Sequence, residues 1–294
     1  VPVVLTGDDL RLLAQVAPTL RVEASRSAPG LVELVADFHV GIIRLPDVVI
    51  EVQPKLPMDR FFFLLSYAVD PDRWRREHAP FAADQSVLEA VAPAFCRLVS
   101  EATYRGLLHG YRTKEQALPT VRGQIRFGDQ MRRHQGFLLP VELRYDEYTE
   151  DILENQLLLA ALHRIGRLPI RSMAVRRALN EISAAFHAVT LPRISPGSIP
   201  QVRFDRLNRH YEPALRLAML ILKWSSLELG GAAATGTSFL INMNELFELF
   251  LYRALRDALH LSENEFRLGA GGLWLDEARQ VNLQPDLSWW HGSR

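Results

Sequence analysis

Apolar positions set the first divisions of this chain. Residues 1–56 carry clusters of Val and Ile broken by polar residues. The stretch VVIEVQPKL alternates apolar and polar from Val49 to Val52, until Pro54 stops it. LVELVADFHVGIIRL has the same β-rich character and is punctuated by Gly41 and Pro46. A small N-terminal sheet or barrel is therefore expected over residues 1–57. From Asp59 to Val69 the apolar residues fall at helical spacing, with three consecutive Phe, and Pro71 ends that helix. A second helix is expected over residues 85–104, kinked or broken at Pro93. Residues 106–128 are rich in turn formers, and GLLHGY and LPTVRGQIRFG read as the two arms of a protruding hairpin or loop pair. Three helices follow, over residues 149–165, 171–188 and 211–229, with a Pro-rich connector at 191–202. Residues 230–236 read as a flexible break, 243–260 as an amphipathic helix, and 266–287 as strand–turn–strand around GAGG. The expected fold class is α+β. It has a β-rich N-terminal domain (1–57), a helical middle with a projecting hairpin (58–232) and the start of an α/β domain (233–294).

Composition narrows the possibilities. The chain has 294 residues, 48% of them apolar, which is enough for one large or two to three small domains with a real core. The longest apolar stretches, near residues 157–162 and 217–222, are far shorter than a membrane span. Asp8, Asp9 and Arg11 interrupt any signal-peptide pattern. The first residue is Val rather than Met, so the natural start is expected to lie upstream. Cys96 is the only cysteine, which excludes an internal disulfide and a Cys-based zinc site and fits a reducing cytoplasm.

Net charge is zero, but its distribution is uneven. Residues 97–134 carry eight basic and three acidic side chains, residues 164–216 ten and three, and residues 233–294 five and eight. A basic middle before an acidic end reads either as solvated faces or as a phosphate-binding surface leading to a metal site. On the second reading Arg176, Arg177, Arg206 and Arg209 are the candidate DNA-phosphate contacts. Almost all the basic residues are Arg, a bias that genome composition explains as well as phosphate recognition does.

Most familiar catalytic motifs are absent. GAAATGTS at 231–238 has P-loop glycine spacing, but Thr237 stands where the phosphate-binding Lys is needed. GAGG at 269–272 lacks the third glycine of a dinucleotide fingerprint. No HExxH or GxSxG occurs. What remains is half of a phosphodiesterase pattern. Hydrolysis of a phosphodiester uses a divalent metal held by carboxylates, and Mg²⁺ prefers oxygen ligands. Asp286 follows Pro285 and opens an apolar strand, while Glu245 and Glu248 share one face of the preceding helix. Helix, hairpin, then Pro-Asp at a strand start is the order of a PD-(D/E)xK nuclease core.

Several segments together resemble the McrC family, the partners of McrB motors in modification-dependent restriction systems. FFFLLSYA at 61–68 resembles the family's early helix, and RGQIRF at 122–127 its Gly-Arg-Ile stretch, with Gln124 in place of the usual Arg. DEYTEDILENQLLLAAL at 146–162 resembles its Asp-Glu-x-Thr…Asn-x-x-Leu helix. VGIIRL and VQPKL resemble the β-domain of longer members, and FLINMNELFELFLYRAL followed by LQPD resembles the opening of the nuclease domain. The resemblance implies a Mg²⁺-dependent endonuclease subunit that binds a ring of AAA+ GTPase subunits and stimulates their hydrolysis through a pore-inserted segment. The motor, not this chain, would recognise the modified base in DNA. Asp286 would be a catalytic metal ligand, with Glu248 a second candidate ligand. Arg105, Arg112, Lys114 and Arg122 on the expected hairpin would contact the motor.

The sequence departs from the family in one respect. The second motif, Asp/Glu-x-Lys, belongs on the next strand, yet no Lys follows Lys223. A truncated nuclease domain, inactive as given, is the expectation. Two rival readings stay open: a non-catalytic activator or assembly subunit, and a free-standing DNA-binding protein.

Overall fold

A computed structural model describes residues 2–3, 5–25, 32–69, 86–135, 137–225, 236–269 and 271–290. The strands are β1 (Pro2–Val3), β2 (Arg21–Ala24), β3 (Val32–Val35), β4 (His39–Arg44), β5 (Val49–Val52), β6 (Gly110–Leu118), β7 (Gln124–Ile125), β8 (Val141–Thr149), β9 (Thr237–Asn242), β10 (Phe266–Leu268), β11 (Leu273–Trp274), β12 (Asn282–Leu283) and β13 (Leu287–Trp289). The helices are α1 (Gly7–Val16), α2 (Met58–Val69), α3 (Val87–Ala102), α4 (Phe127–His134), α5 (Leu153–Gly166), α6 (Met173–Ala184), α7 (Glu212–Trp224) and α8 (Met243–Ala258). The mixture of helices with small antiparallel sheets fits the expected α+β class. Among the described residues no helix is long and apolar enough to cross a membrane.

Contacts divide the chain into two units, one of residues 1–94, 167–172 and 223–294, the other of 95–166 and 173–222. These are not the consecutive segments 1–57, 58–232 and 233–294. The reason is β9, which lies along β4 from His39↔Asn242 to Arg44↔Thr237 and so ties the third segment to the first. The expected flexible break at 230–236 lies outside the described residues except for Gly236.

In the first unit the β-rich start contains a helix that the sequence reading does not anticipate. Thr6 and Asp9 cap α1 reciprocally: the Thr6 hydroxyl accepts the Asp9 N–H at 3.2 Å, and the Asp9 carboxylate accepts the Thr6 N–H at 3.0 Å. Leu12, Leu13 and Val16 then lie on one face, and with Ala17 and Leu20 they pack on Ile43, Leu45 and Leu240. Strand β4 is the centre of the antiparallel sheet β5-β4-β9, which explains its run of buried residues from Val40 to Ile43. Helices α2 and α8 pack through edge-to-face rings, with Phe63 and Tyr67 each 5.4 Å from Phe250. Beyond α8 the chain forms two nested two-stranded ladders, β10 with β13 and β11 with β12, and Tyr252 of α8 stacks on Phe266 at 5.6 Å.

In the second unit the expected hairpin within 106–128 is not formed. β6 instead pairs with β8 over nine residues, from Gly110↔Thr149 to Leu118↔Val141, and β7 takes the other edge of β8. Leu143 and Tyr145 in VELRYDEYT alternate onto a buried side of β8, while β6 and β7 pair along its two edges. The helix expected from residue 149 therefore starts at Leu153, because Asp146–Thr149 of the motif belongs to the strand. α5 buries Leu157, Leu158, Leu162 and Ile165 and packs on α6. Asn155 and Tyr211 fasten the chain entering β6. Asn155 Nδ2 donates to the Leu108 carbonyl at 2.8 Å, and the Leu108 N–H donates to the Tyr211 hydroxyl at 2.8 Å. α3 continues through Pro93, and Cys96 is buried in it, where burial pushes the thiol up to about 11, as expected of an unreactive core cysteine.

Candidate functional site

Of the four cations expected to contact a partner, Arg112 and Lys114 lie on β6 and Arg122 in the loop leading to β7, and these three already have a partner within the chain. Arg112 forms an ion pair with Asp151 and also donates to its backbone carbonyl at 3.3 Å. Asp151 further accepts the Gln156 amide at 2.7 Å and both the N–H and the hydroxyl of Thr190 at 2.9 and 2.8 Å. Burial alone would raise the Asp151 pKa. The hydrogen bonds from Gln156 and Thr190 and the Arg112 charge outweigh it and hold the carboxyl below its ordinary value. Lys114 forms an ion pair with Glu147, and the Arg122 guanidinium lies 3.6 Å from the centre of the Tyr145 ring. Arg105 is exposed in the turn after α3. These cations fix the shape of the sheet as much as they offer charge.

Between β7 and β8 lies a feature that the sequence reading missed. Phe127, Met131, Phe137, Leu138 and Leu139 are each 60–86% exposed, as is Val121 in the loop before β7. Their frame is tightly held. Asp129 is buried and ion-paired with Arg126 and Arg132, and buried Glu142 faces Arg133 at 3.4 Å and His134 at 3.2 Å. Gln130 donates to the carbonyls of Phe137 and Pro140 at 2.9 and 3.1 Å and accepts the Glu142 N–H at 2.7 Å. An apolar loop is thus stapled to an ionic scaffold, with its side chains in water. The signal was present in GFLLP, an apolar run between a basic cluster and a proline, which reads as an error unless it is functional.

The remaining candidates lie apart from this surface in the sequence. Arg176 and Arg177 are exposed on α6, and Arg206 and Arg209 are exposed before α7. In the other unit Asp286 is exposed directly before β13, its carbonyl accepting the Gly269 N–H at 2.9 Å. Glu248 is half-buried on α8. Its neighbour Glu245 is engaged, taking an ion pair from Lys223 at 2.8 Å and the Trp224 indole N–H at 3.4 Å. Among the described residues no three His, Cys, Asp or Glu side chains converge as metal ligands do. Mg²⁺ is held by oxygens in an octahedron and commonly takes only one or two carboxylates, with water and phosphate completing the set.

The family described as "McrBC 5-methylcytosine restriction system component" matches residues 34–293. A comparison with curated proteins returns no match. Among solved structures the chain is similar to one in the cryo-EM structure of the Thermococcus gammatolerans McrBC complex. The TM-score is 0.50 at 22% identity, over 86% of this chain and 73% of that one. It is also similar to a chain in the refined half-complex from a tetradecameric assembly of Thermococcus gammatolerans McrB AAA+ hexamers with bound McrC. There the TM-score is 0.47 at 19% identity, over 90% of this chain and 61% of that one. The match across residues 34–293 carries the family and the first structural likeness carries the fold. The chain belongs to the McrBC 5-methylcytosine restriction system components and is of the McrC type that its motifs resemble.

Proposed function

We propose that this protein is the subunit of a McrBC-type restriction system that docks on a ring of McrB-like AAA+ GTPase subunits and raises their GTP turnover. One observation carries the reading: five large apolar side chains, from Phe127 to Leu139, stand in water on a segment whose frame is held by Asp129, Gln130 and Glu142. Apolar surface of that kind is unusual on a free protein and is stabilised when a partner covers it. A frame already ordered also loses little freedom on docking. A GTPase can be accelerated by a cation aimed at its phosphates or by ordering of its own catalytic groups. The ion pairs of Arg112 and Lys114 and the stacked Arg122 favour the second route, with Arg105 left for the first.

The nuclease part of the reading assigns Asp286 to a Mg²⁺ site. In the PD-(D/E)xK pattern that site also uses a second carboxylate and a Lys, and no Lys follows Lys223 in the sequence. Recognition of the modified base falls to the motor, with the exposed arginines of α6 and the turn before α7 contacting phosphates. A complex that restricts DNA would work in the cytoplasm. The test is to titrate the 294-residue chain onto its cognate motor and follow GTP release of phosphate. A saturable rise above the basal rate is expected, and turnover that stays basal defeats the activator reading.

A further inference from the structure

The start of β6 borders a cavity of about 510 Å³ whose lining includes His109, Tyr111, Glu154 and Asp205. Its size falls in the roughly 300–1,000 Å³ range of small-molecule sites. One wall continues into an aromatic shelf. Tyr111 and Tyr148 face each other across the β6–β8 ladder with ring centres 5.2 Å apart, and His109 stacks on Tyr148 at 5.2 Å and 27°. Tyr111 is 79% exposed and Tyr148 63%, so the shelf opens to solvent rather than to a core.

The polar groups in the cavity define its chemistry. Glu154 accepts one hydrogen bond, from Asn208 Nδ2 at 3.1 Å. One oxygen of Asp205 accepts the N–H groups of Leu207 and Asn208 at 2.7 and 3.3 Å. Among the described residues neither carboxylate carries an ion pair, and Arg112, the lining cation, is already held by Asp151. The cavity is therefore rich in acceptors and negatively charged. It repels a phosphate and suits a flat, neutral group with amino hydrogens. The turn that supplies Asp205 and Asn208 also carries exposed Arg206 and Arg209, which can hold phosphates outside it.

We propose that this cavity takes an unpaired DNA base bearing an exocyclic amine, its ring on the Tyr111–Tyr148 shelf and its amine toward Glu154 and Asp205. Carboxylates accept from such amines, and stacking on aromatic side chains tolerates any base with a planar face. The inference rests on the proposed DNA contact of this unit and adds a base site to it. The experiment compares two labelled single-stranded oligonucleotides of equal length and charge, one oligo-dC and one abasic, by fluorescence anisotropy with the 294-residue chain. The dC strand is expected to bind about tenfold more tightly. Tyr111→Ala and Glu154→Gln should each remove most of that preference, and Tyr111→Phe should keep it, with thermal melts confirming that each variant is folded. Equal binding of both strands, weakening steeply with salt, overturns the base site and leaves the phosphate contact standing. Binding of neither strand overturns both. If Tyr111→Ala keeps the preference for dC but abolishes stimulation of the motor, the shelf belongs to the protein interface and the base site is wrong.

Discussion

Asp286 shows how far one residue can be read. Its place after Pro285 and before an apolar strand was legible, and β13 does begin at Leu287. Whether other ligands join it depends on residues distant in sequence, and no periodicity reports that. The role is open to a direct test in an assembly that cuts DNA. Asp286→Asn is expected to lower cleavage by at least the roughly 10–100-fold that loss of an outer-shell metal partner costs. GTP turnover should stay unchanged, because this exposed side chain supports no buried contact. Normal cleavage by the variant would remove the assignment. Gly41 is the opposite case, a residue whose importance shows only in the fold. Its φ is +145°, and a Cβ there would sit 2.0 Å from the Phe239 carbonyl oxygen. Neither strand can yield, since β4 pairs with β5 on one side and β9 on the other. Gly41→Ala is expected to cost on the order of 3 kcal/mol or more, read as a lowered urea midpoint. A midpoint equal to that of the parent would contradict the tight β4–β9 pairing.

Elements built from local periodicity were legible, and elements built from distant pairing were not. Helices α2, α3 and α8 lie within a few residues of their expected spans because a 3.6-residue apolar repeat needs no partner to be seen. Strand β9 was hidden because SFLIN reads as the lead into α8. Its role appears only when it meets β4, two hundred residues earlier. β8 was hidden by its charged residues, among them exposed Arg144 and Asp146 and buried Glu142, which diluted the alternation of Leu143 and Tyr145. The junction where β8 meets α5 is held by Asp151, whose partners Arg112 and Thr190 are each 39 residues away. Because the carboxyl pKa is lowered in the folded protein, its contribution is fully present above the ordinary value of 3.8. It is lost as pH falls through the lower folded value. Asp151→Asn is therefore expected to destabilise the protein by about 2 kcal/mol near neutral pH, the scale of a hydrogen bond to a charged group. That difference should shrink once the pH drops below 3.8. A gap between the two melting curves that persists unchanged into that acid range would rule out Asp151 as a charged anchor.

At the scale of the whole molecule, two surfaces are assigned to two partners, and they should respond to different treatments. Phosphate contacts release counterions, so DNA binding through the exposed arginines should weaken steeply with salt. Reversing the charge of Arg176 and Arg177 should lower both the affinity and the salt slope, and a flat salt response would leave that face a solvated one. Docking on the motor is expected to behave otherwise. Its proposed core is apolar, and burial of apolar surface is worth about 25 cal/mol per Å² and is little affected by moderate salt. Replacing Phe127, Phe137 and Leu138 together by Ser leaves the ionic scaffold of Asp129, Gln130 and Glu142 in place, because all three side chains stand in water and contribute little to the core. The variant should keep the parental melting temperature and lose most of its stimulation of GTP turnover, about tenfold or more in the concentration needed for half-maximal effect. Replacing Arg105 by Ala should have the smaller effect if the motor is activated by ordering of its own groups, and the larger if this cation reaches the phosphates. Stimulation that survives the triple Ser variant at parental concentrations would place the docking surface elsewhere on the chain, whatever the arginine variant does.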